Sequence, residues 1–270
     1  MSNYKYSSDP VKVMWVNPLG YTDFDDPIAE LLAEIKDPRT HLEVVSLAQP
    51  VHTPHLEYRV YEAMVIADLV RVVRQASLEG FDALAIGCFY DLGLEDARQI
   101  SGDMVVVAPC QAAVQILTNL CNRFSVLVGQ HFWIEQMTDR VRYYGQGARL
   151  ASMRPLGLGV RDFQADKAKT EQRLLDAAKL AVNEDHAEGL ILGCTGEFGF
   201  FQELQNAVGV PVIDAVFSSF KMAEYLGGLK KQLGWQTSRK GSMVQPPEEE
   251  LRAYKIFDAP APIGNRIVIR

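Results

Sequence analysis

Two signatures that often declare an enzyme's chemistry are missing from this chain. It has no Gly-rich loop closed by Lys-Ser/Thr and no H-E-x-x-H, so neither a nucleotide phosphate cradle nor a zinc-hydrolase helix is written in it. Gly157-Leu158-Gly159 is too short a match to argue for a dinucleotide. Cysteine is scarce, with four in 270 residues, and Cys88, Cys110, Cys121 and Cys194 form no C-x-x-C pair. That excludes a zinc ribbon and a dense disulfide framework and leaves free thiols as the simpler expectation. Basic residues are outnumbered 27 to 34, for a formal net charge of -7. No broad basic surface exists to neutralise phosphates, which argues against nucleic-acid and anionic-membrane partners and for a small-molecule partner. No apolar run reaches the roughly 18 residues of a membrane span. The opening "MSNYKYSSDPVKVMWV" also lacks an apolar stretch behind a basic start, so a cytoplasmic protein is expected. His52 and His55 are separated by Thr53-Pro54, which breaks any helix that would pair them on a metal, and they are read as loop residues. Nothing calls for a metal or an organic cofactor.

The chain is 48% hydrophobic and 23% charged, the balance of a globular protein with a large core. Short apolar runs at 11–16, 42–48, 83–87, 104–108, 125–128, 189–193 and 210–213 read as strands buried on both faces of a parallel sheet. Between them, 56–78, 112–121, 133–144, 167–183 and 215–229 carry helical periodicity. Alternating strands and helices predict an α/β fold, with ligands beyond the carboxyl ends of the strands.

An internal repeat organises the chain. "FDALAIGCFYDLGLEDARQISGDMVVVAPCQAAVQIL", from Phe81, matches "AEGLILGCTGEFGFFQELQNAVGVPVIDAVFSSFKMA", from Ala187, element by element. Each copy runs through an acidic residue, an apolar run, Gly-Cys, a polar break, a short helix, a Val-rich strand and a further helix. The expected architecture is two pseudo-symmetric, Rossmann-like parallel-sheet halves with the site in the cleft between them. The halves are placed at 11–122 and 123–229, with the helix at 215–229 able to return to the first. Residues 234–270, rich in Pro, Gly and charge, form a C-terminal arm with a brief helix candidate at 247–254. The arm packs on the surface or on a partner subunit of a homo-oligomer, or else is a partly ordered tail.

Cys88 and Cys194 each end an apolar run where a strand gives way to a turn and a helix, where unpaired amides favour a thiolate. Two thiols on opposite sides of a carbon acid can take a proton from one face and deliver one to the other. That inverts a stereocentre without a cofactor.

The stretches around both cysteines resemble the aspartate/glutamate racemase superfamily, and within it the hydantoin racemase branch. The matching text is "WVNP" near the start, "EGFDALAIGCFYDLGLEDAR", "LILGCTG" and "ELQNAVGVPVIDAVFSSFKMAE", and the resemblance spans 11–229. It implies that Cys88 and Cys194 are the catalytic acid/base pair and that the substrate is a five-membered cyclic ureide deprotonated to an enolate. The amides of Phe89, Tyr90, Thr195 and Gly196 are the expected enolate donors, with Asn17 and Gln111 in the same substrate-binding set. The superfamily also supports malonate decarboxylation and maleate cis-trans isomerisation, and a binder that has lost turnover is the reading from another class.

The chain departs from the branch's pattern at Leu19-Gly20, Cys110-Gln111, Gly129-Gln130 and Glu197, and these departures bear on the substrate's identity. Glu197 reads as a solvated first-turn acid or as a contact to a basic or hydroxylated part of the substrate. Phe89 and Tyr90 either wall the pocket or pack against a helix. Cys110 and Cys121 are read as packing residues, and the charges of "RKG" and "EEELR" as solvated faces.

Overall fold

The computed structural model describes residues 9–48 and 54–270, so His52 lies outside the described residues. Along the chain the elements are β1 (Lys12–Asn17), α1 (Asp25–Ile35), β2 (His41–Leu47), α2 (Arg59–Leu78), β3 (Ala83–Ile86), α3 (Leu94–Ile100), β4 (Val105–Val107), α4 (Pro109–Leu117) and β5 (Phe124–Val128). There follow α5 (Ile134–Tyr143), β6 (Leu150–Pro155), α6 (Asp162–Ala165), α7 (Lys167–Asn183), β7 (Gly189–Leu192), α8 (Phe201–Val208), β8 (Val212–Ile213), α9 (Ala215–Leu233), α10 (Glu248–Ala253) and β9 (Ile263–Ile269). The fold class is α/β, with two separate sheets.

The chain divides into two compact units. The first holds the described residues through Ile86 together with Leu92–Val107 and Phe220–Arg270, and the second holds Gly87–Asp91 with Ala108–Ser219. The first unit's sheet runs β4-β3-β1-β2-β9, and the second's runs β6-β5-β7-β8. Strands β1 to β4 pair in parallel, as do all four strands of the second sheet, while β9 joins β2 antiparallel. Central strands are apolar on both faces because helices cover both. Val13, Met14, Trp15, Val16, Leu84 and Ile86 in the first unit, and Phe124, Val126, Leu127, Leu190 and Ile191 in the second, are shut away from solvent.

The repeat reappears as β3–α3–β4–α4 and β7–α8–β8–α9. Its leading acids do the same work in each unit. The Asp82 carboxylate accepts the amide of Lys12 at the start of β1 (2.9 Å), and Glu188 accepts that of Asn122 just before β5 (2.6 Å). Asp82 is also paired with Lys230 and Lys231 of α9. Each acid thus fixes the start of the strand beside its own.

The C-terminal arm adds a strand to the first unit's own sheet. Gly264 permits this, since a Cβ there would meet the Leu47 carbonyl oxygen at 2.9 Å. Of the charges of "RKG" and "EEELR", Lys240, Glu248, Glu249, Glu250 and Arg252 are exposed as expected, and Arg239 alone is half-buried. Arg239 donates to the carbonyl oxygens of Arg98 (2.6 Å) and Gly102 at the end of α3, where helix carbonyls lack internal partners, and Glu248 takes a two-pronged bond from Arg74 (2.7 and 2.9 Å). Among the described residues, no helix is long and apolar enough to cross a membrane.

Candidate active site

Both cysteine turns, Gly87–Asp91 and the segment from Cys194, belong to the second unit. Strand β3 ends at Ile86 and β7 at Leu192, so each thiol lies two residues past the carboxyl end of a parallel strand. The Thr195 hydroxyl donates to the carbonyl oxygen of Gly87 at 3.0 Å, tying the residue after one cysteine to the residue before the other. Cys88 and Cys194 are in no disulfide, and both residues are half-buried.

The local geometry differs from the expected strand-to-helix entry. Cys88 opens a turn closed by the Asp91 amide on the Cys88 carbonyl (3.0 Å), and α3 begins only at Leu94. Asp91 and Gly93 have φ of 51° and 60°, a left-handed excursion that prevents a helix from starting at the cysteine. Cys194 caps a three-residue 3-10 turn, Thr195–Glu197, and α8 starts at Phe201 after Gly199 at φ 87°. A helix dipole therefore does not act directly on either thiol. What the second turn supplies is the Gly196 amide, which donates to the Cys194 sulfur at 3.3 Å and favours its thiolate.

The other residues singled out from the sequence fall as follows. Phe89 and Tyr90 are buried, and Tyr90 meets Trp133 edge to face at 6.4 Å between ring centroids. The Gln111 amide donates to Asp91 at 2.9 Å. Thr195 and Gly196 sit beside Cys194. Glu197 is the clearest correction to the solvated reading: it is fully buried and neither carboxyl oxygen makes a well-formed hydrogen bond, although the amides of Cys194 and Gly193 lie near it. Burial pushes its pKa well above the ordinary glutamate range, partly offset by the nearby amides of Cys194 and Gly193, and the neighbouring Asp214 pushes the same way as burial.

Asn17 belongs to the first unit and ends β1. Its amide nitrogen donates to the Tyr21 carbonyl (2.9 Å) and to Asp25 (2.8 Å), and its oxygen accepts the Leu19 amide (3.2 Å). The side chain therefore braces its own loop. Cys110 is fully enclosed and burial pushes its thiol up, as suits a packing residue. Cys121 lies just beyond α4 and donates to the Leu117 carbonyl (3.5 Å). Gly129 has a reason internal to this chain: a Cβ there would come within 2.4 Å of the Trp133 ring and 2.5 Å of the Leu158 carbonyl oxygen.

Several residues that build the site carry no motif. The Asp91 carboxylate accepts the amides of Cys110 (2.8 Å) and Gln111 (2.9 Å) and the Tyr144 hydroxyl (2.6 Å). Arg140 donates to the carbonyls of Tyr90 (2.9 Å) and Asp91 (3.0 Å). Together they fix the Cys88 turn to α4 and α5. Gln164 does likewise for the other turn, donating to the carbonyls of Gly196 (3.0 Å) and Phe198 (3.2 Å) on either side of Glu197. The recurrence of an acid three places after each cysteine was the available sequence signal. A depression of about 400 Å³ in the first unit, beside α9 and the end of α1, is lined by charged groups paired at Arg39–Asp37 and Lys221–Glu224 and holds none of these residues. Among the described residues no three His, Cys, Asp or Glu side chains group as metal ligands.

A family profile described as Asp/Glu/Hydantoin racemase matches residues 13–223. The chain belongs to this family. It is 33% identical over 242 residues to a hydantoin racemase of Rhizobium meliloti, covering 89% of this chain and 97% of the relative. A hydantoin racemase of Paenarthrobacter aurescens is 31% identical over the same length, with 99% of it covered. Among solved structures, an allantoin racemase from Klebsiella pneumoniae superposes with a TM-score of 0.81 at 24% identity, over 88% of this chain and 94% of that one. That likeness speaks for the shared fold. The family match ends before the C-terminal arm, so β9 and its contacts lie outside what the profile describes.

Proposed function

We propose that this family member is a cofactor-independent racemase of a hydantoin-like cyclic ureide, with Cys88 and Cys194 as the two acid/base groups. The observation that carries the reading is the Thr195–Gly87 hydrogen bond, which binds the two Gly-Cys turns to each other within one unit while both cysteines stay half-buried. The curated relatives, named hydantoin racemases along most of this chain, support the substrate class.

In the reaction, one thiolate removes the proton from the ring carbon between carbonyl and ring nitrogen, and the opposite thiol donates its proton to the other face. The enolate between these steps needs donors fixed in advance, and the amides of Phe89, Tyr90 and Thr195 are the candidates. Gly196 serves the sulfur instead. Gln111 supports the Cys88 turn through Asp91, and the resemblance adds Asn17 to the expected substrate-binding set. From the sequence comes the further expectation of a cytoplasmic homo-oligomer without nucleic-acid or membrane partners.

Incubation of one enantiomer of a 5-substituted hydantoin in heavy water is expected to yield solvent label in the inverted product. Cys88→Ala and Cys194→Ala should each abolish inversion, and retained inversion in either variant would end the two-thiol scheme. Carbon dioxide release from a malonate, or fumarate from maleate, would instead assign one of the other chemistries of this fold.

A further inference from the structure

The two cysteine turns are closed alike and clamped alike. A constant offset of 106 residues carries Cys88, Phe89, Tyr90 and Asp91 onto Cys194, Thr195, Gly196 and Glu197. In each copy the fourth residue closes the turn on the cysteine: the Asp91 amide donates to the Cys88 carbonyl (3.0 Å) and the Glu197 amide to the Cys194 carbonyl (3.1 Å). In each copy, too, a long side chain holds the third residue's carbonyl. Arg140 of α5 donates to the carbonyls of Tyr90 (2.9 Å) and Asp91 (3.0 Å), and Gln164 of α6 to those of Gly196 (3.0 Å) and Phe198 (3.2 Å). Both side chains lie outside the repeat, whose copies occupy 81–117 and 187–223. Two unrelated residues on two different helices thus reach equivalent carbonyls.

Peptide planarity turns each clamp into an aim. A trans peptide points its C=O and its N–H in opposite directions. Arg140 fixes the Tyr90 C=O, and with it the Asp91 N–H of the same peptide, which is turned toward the Cys88 C=O. The Cys88 C=O therefore points into the turn, and the N–H that shares its peptide, that of Phe89, points out of it. The same chain of planes runs from Gln164 through the Gly196 C=O, the Glu197 N–H and the Cys194 C=O to the Thr195 N–H. Each clamp sets the direction of the amide that follows a thiol.

We propose that Arg140 and Gln164 are positioning residues for the reaction: by holding the Tyr90 and Gly196 carbonyls they aim the Phe89 and Thr195 N–H groups at the enolate. The inference rests on the racemase reading of the site. The enolate's charge exists only after proton abstraction, so donors aimed at it lower the barrier without tightening the hold on the neutral substrate. They must be fixed before the charge forms, because a turn that has to rotate into place loses part of the stabilisation it offers. Arg140 and Gln164 act through the peptide planes, and neither has to meet the substrate.

The test separates aim from fold and from substrate binding. Arg140→Met and Gln164→Met keep an unbranched apolar stem and remove the donors. In each, kcat for a 5-substituted hydantoin is expected to fall about 10- to 100-fold, as for a misplaced transition-state donor, with KM within about threefold of wild type. Arg140→Lys, which keeps a donor for the Tyr90 carbonyl, should recover part of the loss. Amide hydrogen exchange read by mass spectrometry without substrate should quicken in 88–91 for Arg140→Met and in 194–198 for Gln164→Met. A kcat within about twofold of wild type in either variant, or a raised KM with kcat kept, overturns the proposal. Exchange at the wild-type rate in the unclamped turn does the same. If either methionine variant does not fold, Arg140→Lys and Gln164→Asn, which shortens the reach of the amide, carry the same measurements. Should the protein racemise no hydantoin while exchange quickens turn by turn, the clamping of the amides stands and only the assigned reaction fails.

Discussion

Replacing Glu197 by methionine should make the protein more stable, and increasingly so as the pH rises. The carboxyl is wholly enclosed and neither oxygen makes a well-formed hydrogen bond, the amides of Cys194 and Gly193 lying near but poorly placed, so even its neutral form forfeits most of the hydrogen bonding it had in water. A buried polar group left in that condition costs about 1–3 kcal/mol. A second cost depends on pH. The folded pKa lies above that of the unfolded chain, so the folded state must take up a proton once the solution is more alkaline than the ordinary glutamate range. By linkage, wild-type stability is fully present below that range and declines as pH climbs toward the folded value, by at most about 1.4 kcal/mol per pH unit. Methionine is close in length, adapts to an irregular space, and removes both costs. At pH 5 the variant should therefore gain about 1–3 kcal/mol from the first cost alone, and the margin should widen by pH 8. For a chain of this size each kcal/mol corresponds to about 2–4 °C in Tm. Thermal unfolding of both proteins, followed by circular dichroism at pH 5 and pH 8, measures the two margins. Equal margins at both pH values would refute the linkage argument. A variant less stable than the wild type at pH 8 would mean that the amides of Cys194 and Gly193 satisfy the carboxyl.

Two further substitutions probe other close contacts. Gly129→Ala drives a methyl into the Trp133 ring and the Leu158 carbonyl, each within 2.5 Å of the new carbon, and overpacking of this kind should cost about 1–3 kcal/mol. Urea unfolding checks it, and an unchanged midpoint would show that the Trp133 side of the site is loosely packed. Asn265→Ala removes the side chain on β9 that donates to Asp25 at 3.2 Å, where Asp25 in turn holds Asn17 at 2.8 Å. A loss of about 1 kcal/mol is expected, together with faster hydrogen exchange in residues 17–25, and protection equal to wild type would show that the C-terminal strand does not brace that loop.

The strands that could be read from the sequence are those buried on both faces, because an unbroken apolar run leaves a local trace. The two strands that left none are edge strands. In β6, "LASMRP", no residue is fully buried, and in β9, "IGNRIVI", half-buried and exposed positions alternate behind Gly264 and Asn265. That period of two was legible in principle but stood inside a segment rich in Pro and charge. Helix α7 was found to the residue because Asp166 caps it and apolar positions recur along it. Helix α4 begins at Pro109, three places before the expected start, because Asp91 captures its first amides from a distant turn. For the site, the cysteine pair and Thr195 were visible through the repeat. Asp91, Arg140, Tyr144 and Gln164 were not, because their roles rest on partners up to 53 residues away in the chain.

The internal repeat shows why the two equivalent acids differ so much in their surroundings. In the first copy Asp91, three places after its cysteine, accepts the amides that open α4. In the second copy Asp214 sits directly before α9 and accepts the two equivalent amides with a shorter span of chain, so that cap does not depend on the turn residue. Glu197 therefore contributes nothing to the cap of α9, and an apolar side chain of the same size would satisfy the fold at lower cost. That is why the stability gain expected for Glu197→Met is specific to the second copy: removing the Asp91 carboxylate would instead strip three donors of their acceptor.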